Sequence, residues 1–236
     1  MKKLLKKIFY SLPASYTLMF HHIDDGKIIK KSGCVLDKDS FIKIVDSGLD
    51  FISIDELFNT SIKKRNKCVV TFDDGLQDVY RIAYPELKNR SIPFTIFIVV
   101  DFLDTYGYIT TEELCEMAKD PLVTIGSHGM SHDVLKGMDP KQQEKEILYS
   151  KNVLENILNR QIKYFAYSHG QYDDSTLSIL RKSKCYDYVF GVSGYPTNIY
   201  TKSWKYYLPR LNCENGQSHF YVDSTQKKAK IKFNYR

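Results

Sequence analysis

Short apolar runs alternate with stretches of helical spacing along most of this chain. Tyr16 to Phe20 is a compact apolar run ending at His21 and His22. Phe41, Ile44, Val45 and Leu49 then recur at the interval of a helix with one buried side. A β-branched and aromatic run, Cys68 to Phe72, precedes a helical stretch from Val79 to Asn89, and Phe94 to Val100 reads as a strand after Pro93. Thr111 opens a helix with Glu112 and Glu113 in its first turn, and Leu122 to Ile125 reads as the next strand. Asp139 and Pro140 look like an N-cap and first helical position. The helix they open runs to about Asn159, with Ile147, Val153, Leu154, Ile157 and Leu158 on its apolar side. Tyr164 to Tyr167 is a strand, Asp174 to Ser183 a helix and Tyr188 to Val192 a strand.

This alternation implies parallel strands joined by crossover helices, hence an α/β barrel or an open doubly wound sheet. No internal repeat, low-complexity stretch or linker divides the chain, so one domain is expected over 16–225. A basic segment at 1–15 precedes it and a basic tail at 226–236 follows.

Composition changes the picture little. Of 236 residues, 43% are apolar and 26% charged, the balance of a folded globular chain. The net charge of +6 is concentrated in Lys2 to Lys7 and Lys227 to Lys232, and no nucleic-acid-binding module accompanies it, so nucleic acid is not an expected partner. The first segment could instead rest on a membrane surface as a short amphipathic helix. Lys6, Lys7 and Pro13 interrupt any apolar run there, so neither a cleaved leader nor a membrane span is expected. Five scattered cysteines without a C-x-x-C pair suggest thiols in a reducing compartment. Both features point to the cytoplasm, at the inner membrane face.

Three constellations follow strand ends, where parallel α/β folds gather reactive groups. In Thr71-Phe72-Asp73-Asp74-Gly75, adjacent carboxylates repel one another, and a cation or a proton would relieve the cost of burying them. An isolated pair of this kind would more simply cap a helix, with Gly75 making the turn. In Gly126-Ser127-His128-Gly129-Met130-Ser131-His132, a helical turn would put both imidazoles on one face and let them grip one ion, whereas a lone His pair is more often structural. Phe165-Ala166-Tyr167-Ser168-His169-Gly170 could offer backbone N–H donors to a developing oxyanion or be a plain turn.

TFDDG, SHGMSH and FAYSHG, in that order, resemble the first three motifs of the polysaccharide deacetylase family, carbohydrate esterase family four, within a similarity spanning about Tyr16 to Asn212. The resemblance implies a distorted (β/α) barrel with about seven parallel strands and a metal-dependent hydrolase. Its substrate would be an N-acetylated amino sugar in a poly- or oligosaccharide or a lipid-linked saccharide. By similarity Asp73 is the general base, Asp74, His128 and His132 hold zinc or another divalent first-row ion, and the His169 N–H is an oxyanion donor.

Departures from the family pattern are visible too. Ala166 stands where many members have an arginine that holds the base, and Ser168 and His169 replace a common proline and tyrosine. Gly129 replaces a frequent polar residue. The Leu-x-His that usually supplies the general acid is absent, the nearest match being Leu211-Asn212-Cys213. His21, His22, His169 and His219 are the candidate acids, with His22 and His169 preferred. Arg210 could partner the base or the substrate, or make a surface salt bridge. Trp204, Tyr206 and Tyr207 could form a sugar platform or belong to the core. A hydrolase of another C–N amide and a noncatalytic carbohydrate-binding protein are the alternatives to the deacetylase.

Overall fold

A computed structural model describes residues 15–26, 34–59, 67–193, 205–214, 220–223 and 230–233. The basic run Lys2 to Lys7, Trp204 and His219 lie outside the described residues. The strands in chain order are β1 (Tyr16–Phe20), β2 (His22–Asp24), β3 (Val35–Asp37), β4 (Asp50–Phe51), β5 (Lys67–Phe72) and β6 (Phe94–Ile98). They continue as β7 (Val123–Ser127), β8 (Tyr164–Ala166), β9 (Tyr188–Phe190), β10 (Leu211–Asn212), β11 (Phe220–Asp223) and β12 (Lys230–Phe233).

One sheet organises the fold. Among the described residues its strands run in the order β10-β1-β5-β6-β7-β8-β9, with β4 beside the start of β5, and every pairing is parallel. Strands buried on both faces need continuous apolar runs, and β1 and β6 are buried at every residue. The sheet curls. Leu208 pairs with Phe190 of β9, and only three residues later Leu211 pairs with Leu18 of β1, so one short passage of chain touches both edges. Val69, Phe97, Ala166, Phe190 and Leu208, drawn from strands across the sheet, meet in one apolar cluster with Ile52 and Ile54. The seven-strand distorted barrel expected from the resemblance is the fold observed.

Helices cover the other face. α1 (Lys38–Val45) starts earlier than the apolar spacing suggests, because Asp37 caps it by accepting from the Ser40 N–H. Thr110, one residue before the expected opening, forms a reciprocal capping box with Glu113 at the start of α4 (Thr111–Met117), which follows α2 (Ile54–Asn59) and α3 (Tyr84–Asn89). The long helix after Asp139 is built as α5 (Pro140–Glu144) and α6 (Ser150–Leu158) around a π turn at Lys145–Tyr149, and α7 (Asp174–Ser183) matches its expected span. No helix among the described residues is long and apolar enough to cross a membrane. Lys230–Phe233, within the expected basic tail, pairs antiparallel with Phe220–Asp223.

Close packing under the site depends on Gly126 of β7. A Cβ there would lie 2.4 Å from the Phe97 ring and 3.2 Å from the Tyr164 carbonyl oxygen. Phe97 is fully buried and cannot yield. Gly126→Ala is therefore expected to cost about 1–3 kcal/mol by overpacking. Chemical denaturation checks it, and an unchanged midpoint would contradict the packing described.

Candidate active site

Because the strands are parallel, the chain leaves each of them at the same end of the sheet, and the three sequence constellations meet there. Asp73 and Asp74 follow β5, His128 follows β7 and His169 follows β8. Asp74 Oδ1 lies 3.5 Å from His128 Nε2 and 3.2 Å from His132 Nε2. Ligand atoms of these three side chains lie within 4.8 Å of one another. Asp73 sits alongside, its Oδ2 3.8 Å from His128 Nε2. The His169 ring lies 4.6 Å from that of His132, tilted by 47°.

The two imidazoles are not brought together by a helix, as their spacing suggested. Residues 128–132 form a loop in which Gly129 has φ +94° and His132 φ +70°. A buried carboxylate shapes this loop. Glu146, on the π turn, accepts hydrogen bonds from the Met130 N–H (2.7 Å), the Ser131 N–H (3.0 Å) and the Ser131 hydroxyl (2.9 Å). A Cβ on Gly129 would stand 2.7 Å from Glu146 Oε2, so glycine is required both by the backbone angle and by the carboxylate. The neighbouring loop helps, since Val100 and Asp101 N–H groups donate to the carbonyls of Gly129 and Met130.

His128 is almost fully buried, and its Nδ1 donates to the Ala166 carbonyl at 2.8 Å. That bond fixes the tautomer and leaves Nε2 as the acceptor facing Asp74. Burial also pushes His128 down, keeping it neutral as a ligand must be. Burial opposes charge on Asp74, yet the adjacent His132 and the His21 charge hold its carboxyl well below the usual range. Asp74 Oδ1 is buried and accepts no hydrogen bond from the described residues, although two ring nitrogens face it. An inward-facing oxygen with two Nε2 atoms and no hydrogen-bond network is the donor set of a divalent first-row ion, and these residues fit one.

Arg210 is wholly buried, which removes the surface salt bridge as its explanation. Its NH1 and NH2 donate to Oδ1 and Oδ2 of Asp73 at 2.6 and 2.7 Å, its Nε donates to the Gly191 carbonyl, and its guanidinium lies over the Phe97 ring. Burial raises the cost of charge on Asp73, but the Arg210 guanidinium outweighs it and keeps the carboxyl below its ordinary value. Arg210 lies just before β10, so the barrel-closing passage brings to Asp73 the arginine that the Ala166 position does not supply.

His22 has a carboxylate partner of its own. Its Nδ1 pairs with Asp78 at 2.5 Å, a bond that raises the ring above its usual value. His21 has a different partner: its Nδ1 is hydrogen-bonded to buried Glu214. Burial lowers His21, but that bond and the charges of Asp73, Asp74 and Glu214 more than offset it and raise the ring to about 9. Tyr207 stacks in a group with Tyr167 and Tyr172, its hydroxyl donating to the Val192 carbonyl and the Tyr167 hydroxyl donating to the Tyr206 carbonyl. Glu146 and Glu214 were missed by sequence reasoning. Neither belongs to a motif, and only the fold gives them a role.

Residues 61–187 match the polysaccharide deacetylase family. The chain is 32% identical over 209 residues to YxkH of Bacillus subtilis, covering 85% of this chain and 72% of that one. It is 28% identical over 158 residues to poly-beta-1,6-N-acetyl-D-glucosamine N-deacetylase of Staphylococcus aureus, covering 60% of this chain and 52%, about half, of that protein. The Streptococcus pyogenes deacetylase PplD, solved with acetate, shares the fold with a TM-score of 0.74 at 23% identity, over 86% of this chain and 93% of that one. The extent of the family match and of the YxkH similarity leads to one conclusion: this chain belongs to the polysaccharide deacetylase family.

Proposed function

We propose that the protein is a metal-dependent N-deacetylase of a saccharide that contains N-acetylated amino sugars. The observation that carries this reading is the joint placement of Asp74, His128 and His132 around one point with an ionised Asp73 beside it. The similarity to a poly-beta-1,6-N-acetyl-D-glucosamine N-deacetylase supports the substrate class. Asp74, His128 and His132 would hold the cation. When bound, it supplies Lewis acidity, making a nearby water more acidic and polarising the acetyl carbonyl.

The remaining work falls to the chain's own residues. Asp73 Oδ2 keeps a lone pair beyond its bond from Arg210 and accepts the proton of the attacking water. Arg210 fixes that carboxylate in position and in its charged form. The resulting nucleophile adds to the acetyl carbon, and the His169 N–H donates to the oxygen that becomes negative. One such donor is worth about 3 kcal/mol in other enzymes. His21, protonated near neutrality through Glu214, gives its proton to the sugar nitrogen as the C–N bond breaks, leaving a free amine and acetate. Coupling to both Asp73 and Asp74 favours His21 over His22 for this step, and it fills the role vacated by the absent Leu-x-His.

Acetate released from N-acetylglucosamine oligomers should disappear on metal removal and return when a divalent ion is restored. Asp73→Asn should keep one equivalent of metal while turnover falls on the order of 10²–10⁴-fold, the usual size of general-base catalysis. His128→Ala should lose the metal, and full occupancy in that variant would refute the ligand assignment. The pH profile has a defined sign as well. His21 must be protonated to act, so kcat/KM falls as pH rises through its titration, and Glu214→Gln, which removes the group holding the proton on, should move this alkaline limb to lower pH. A limb that stays in place would show that another group is the acid.

A further inference from the structure

Beside the Asp74 centre, a second group of ligand-type side chains converges: His21, Cys34 and Glu214, with ligand atoms within 4.8 Å of one another. Sheet register brings them together. β2 and β3 are parallel with His22 opposite Val35, so the residues just before them, His21 and Cys34, stand side by side, and the His22 N–H donates to the Cys34 carbonyl at 3.1 Å. On the other flank Met19 of β1 lies opposite Asn212 of β10, and the Cys213 N–H donates to the Met19 carbonyl. Two residues further along each chain, His21 meets Glu214. Three separate segments thus deliver an imidazole, a thiol and a carboxylate to one point.

Glu214 has no exposed surface, and its Oε1 is taken by His21. Its Oε2 is buried, and the further group bonded to this carboxylate is the Cys34 thiol. A thiol is a weak donor, so a buried carboxylate held by one imidazole and one thiol is better met by a cation. Burial, the Glu214 charge and the hydrogen bond to that carboxylate push the Cys34 thiol up to about 11, so only a cation strong enough to displace its proton would recruit it as thiolate. Ligand atoms around tetrahedral zinc stand roughly 3.3–3.7 Å apart. The group's 4.8 Å span is of that order, and His21 Nδ1 and Glu214 Oε1, now in direct hydrogen-bond contact, would part to admit an ion between them.

We propose that His21, Cys34 and Glu214 form a second cation site, selective for a thiophilic divalent ion such as zinc, and that its occupation withdraws His21 from proton donation and so inhibits the enzyme. The inhibitory half rests on the function proposed above, whereas the binding half stands on this geometry alone. On binding, the Cys34 thiol proton and one His21 ring proton pass to solvent, and the metal takes their place on sulfur and nitrogen. Thiolate and imidazole favour zinc or cobalt(II) over magnesium or calcium. The Asp74 site, which has no sulfur, leaves no thiolate signature.

That difference supplies the test. Metal-free protein is titrated with cobalt(II), recording the near-ultraviolet thiolate-to-cobalt charge-transfer band, bound metal and acetate release. The first equivalent is expected to bind without the band and to restore acetate release. The second should bring up the band together with inhibition. Cys34→Ser should still bind the first equivalent but lose the band, the second equivalent and the inhibition. The same loss is expected in Glu214→Gln, a second variant in which the thiol is untouched. No band at several equivalents, or a band that survives in Cys34→Ser and so arises from another thiol, would overturn the site. A Cys34-dependent band without inhibition would keep the site and overturn its effect on the reaction. If the first equivalent binds but no acetate is ever released, the deacetylase reading fails while the band still decides the second site.

Discussion

Two adjacent carboxylates at a strand end, one buried and one half-buried, repel each other, and the structure depends on how that repulsion is met. Arg210 answers half of it. Its guanidinium grips both oxygens of Asp73 in a fully buried, bidentate pair, while Asp74 faces two imidazoles. Taking such a pair out of water is costly, and only near-ideal geometry with every donor used makes it tolerable. The pair also ties the end of β5 to the passage that closes the barrel, so closure and the ionisation of Asp73 are set by the same contact.

Around this pair the backbone is held in conformations that it would not choose. Asp74, His132 and His169 all have positive φ, at 71°, 70° and 55°. Each costs on the order of 1–3 kcal/mol and persists only where its surroundings over-determine it. For His132 the restraint is Glu146 beneath the loop. For Asp74 it is the turn at Gly75, whose carbonyl accepts from the Ile109 N–H. Reactive side chains are therefore aimed by loops, and the loops are fixed by buried groups on neighbouring elements, which is how a site keeps its geometry before a ligand arrives.

Much of this was legible in the sequence, for identifiable reasons. The apolar runs of β1, β5, β6 and β7 mark parallel strands because both faces are covered, and the motifs at their ends mark the site because parallel strands share one functional end. The alternation of strand and helix left a barrel and an open sheet equally possible, and only the motif resemblance chose between them. What could not be read is whatever depends on tertiary register. His128 and His132 look like a helical pair, yet a glycine at φ +94° and a carboxylate from a π turn make them a loop pair. β10 has two residues and no periodicity, so neither the closure of the barrel nor the burial of Arg210 could be foreseen. His21 and His22 are adjacent, and sequence offers no means of telling which one meets Glu214 and which meets Asp78.

The central claim is that Asp74, His128 and His132 share one cation next to an ionised Asp73, and anomalous diffraction from crystals grown with one equivalent of zinc tests it most directly. A single anomalous peak bonded to Asp74, His128 Nε2 and His132 Nε2, with Asp73 still bound to Arg210, is the expected result. A peak lying elsewhere, or none in crystals of protein that releases acetate, would contradict it.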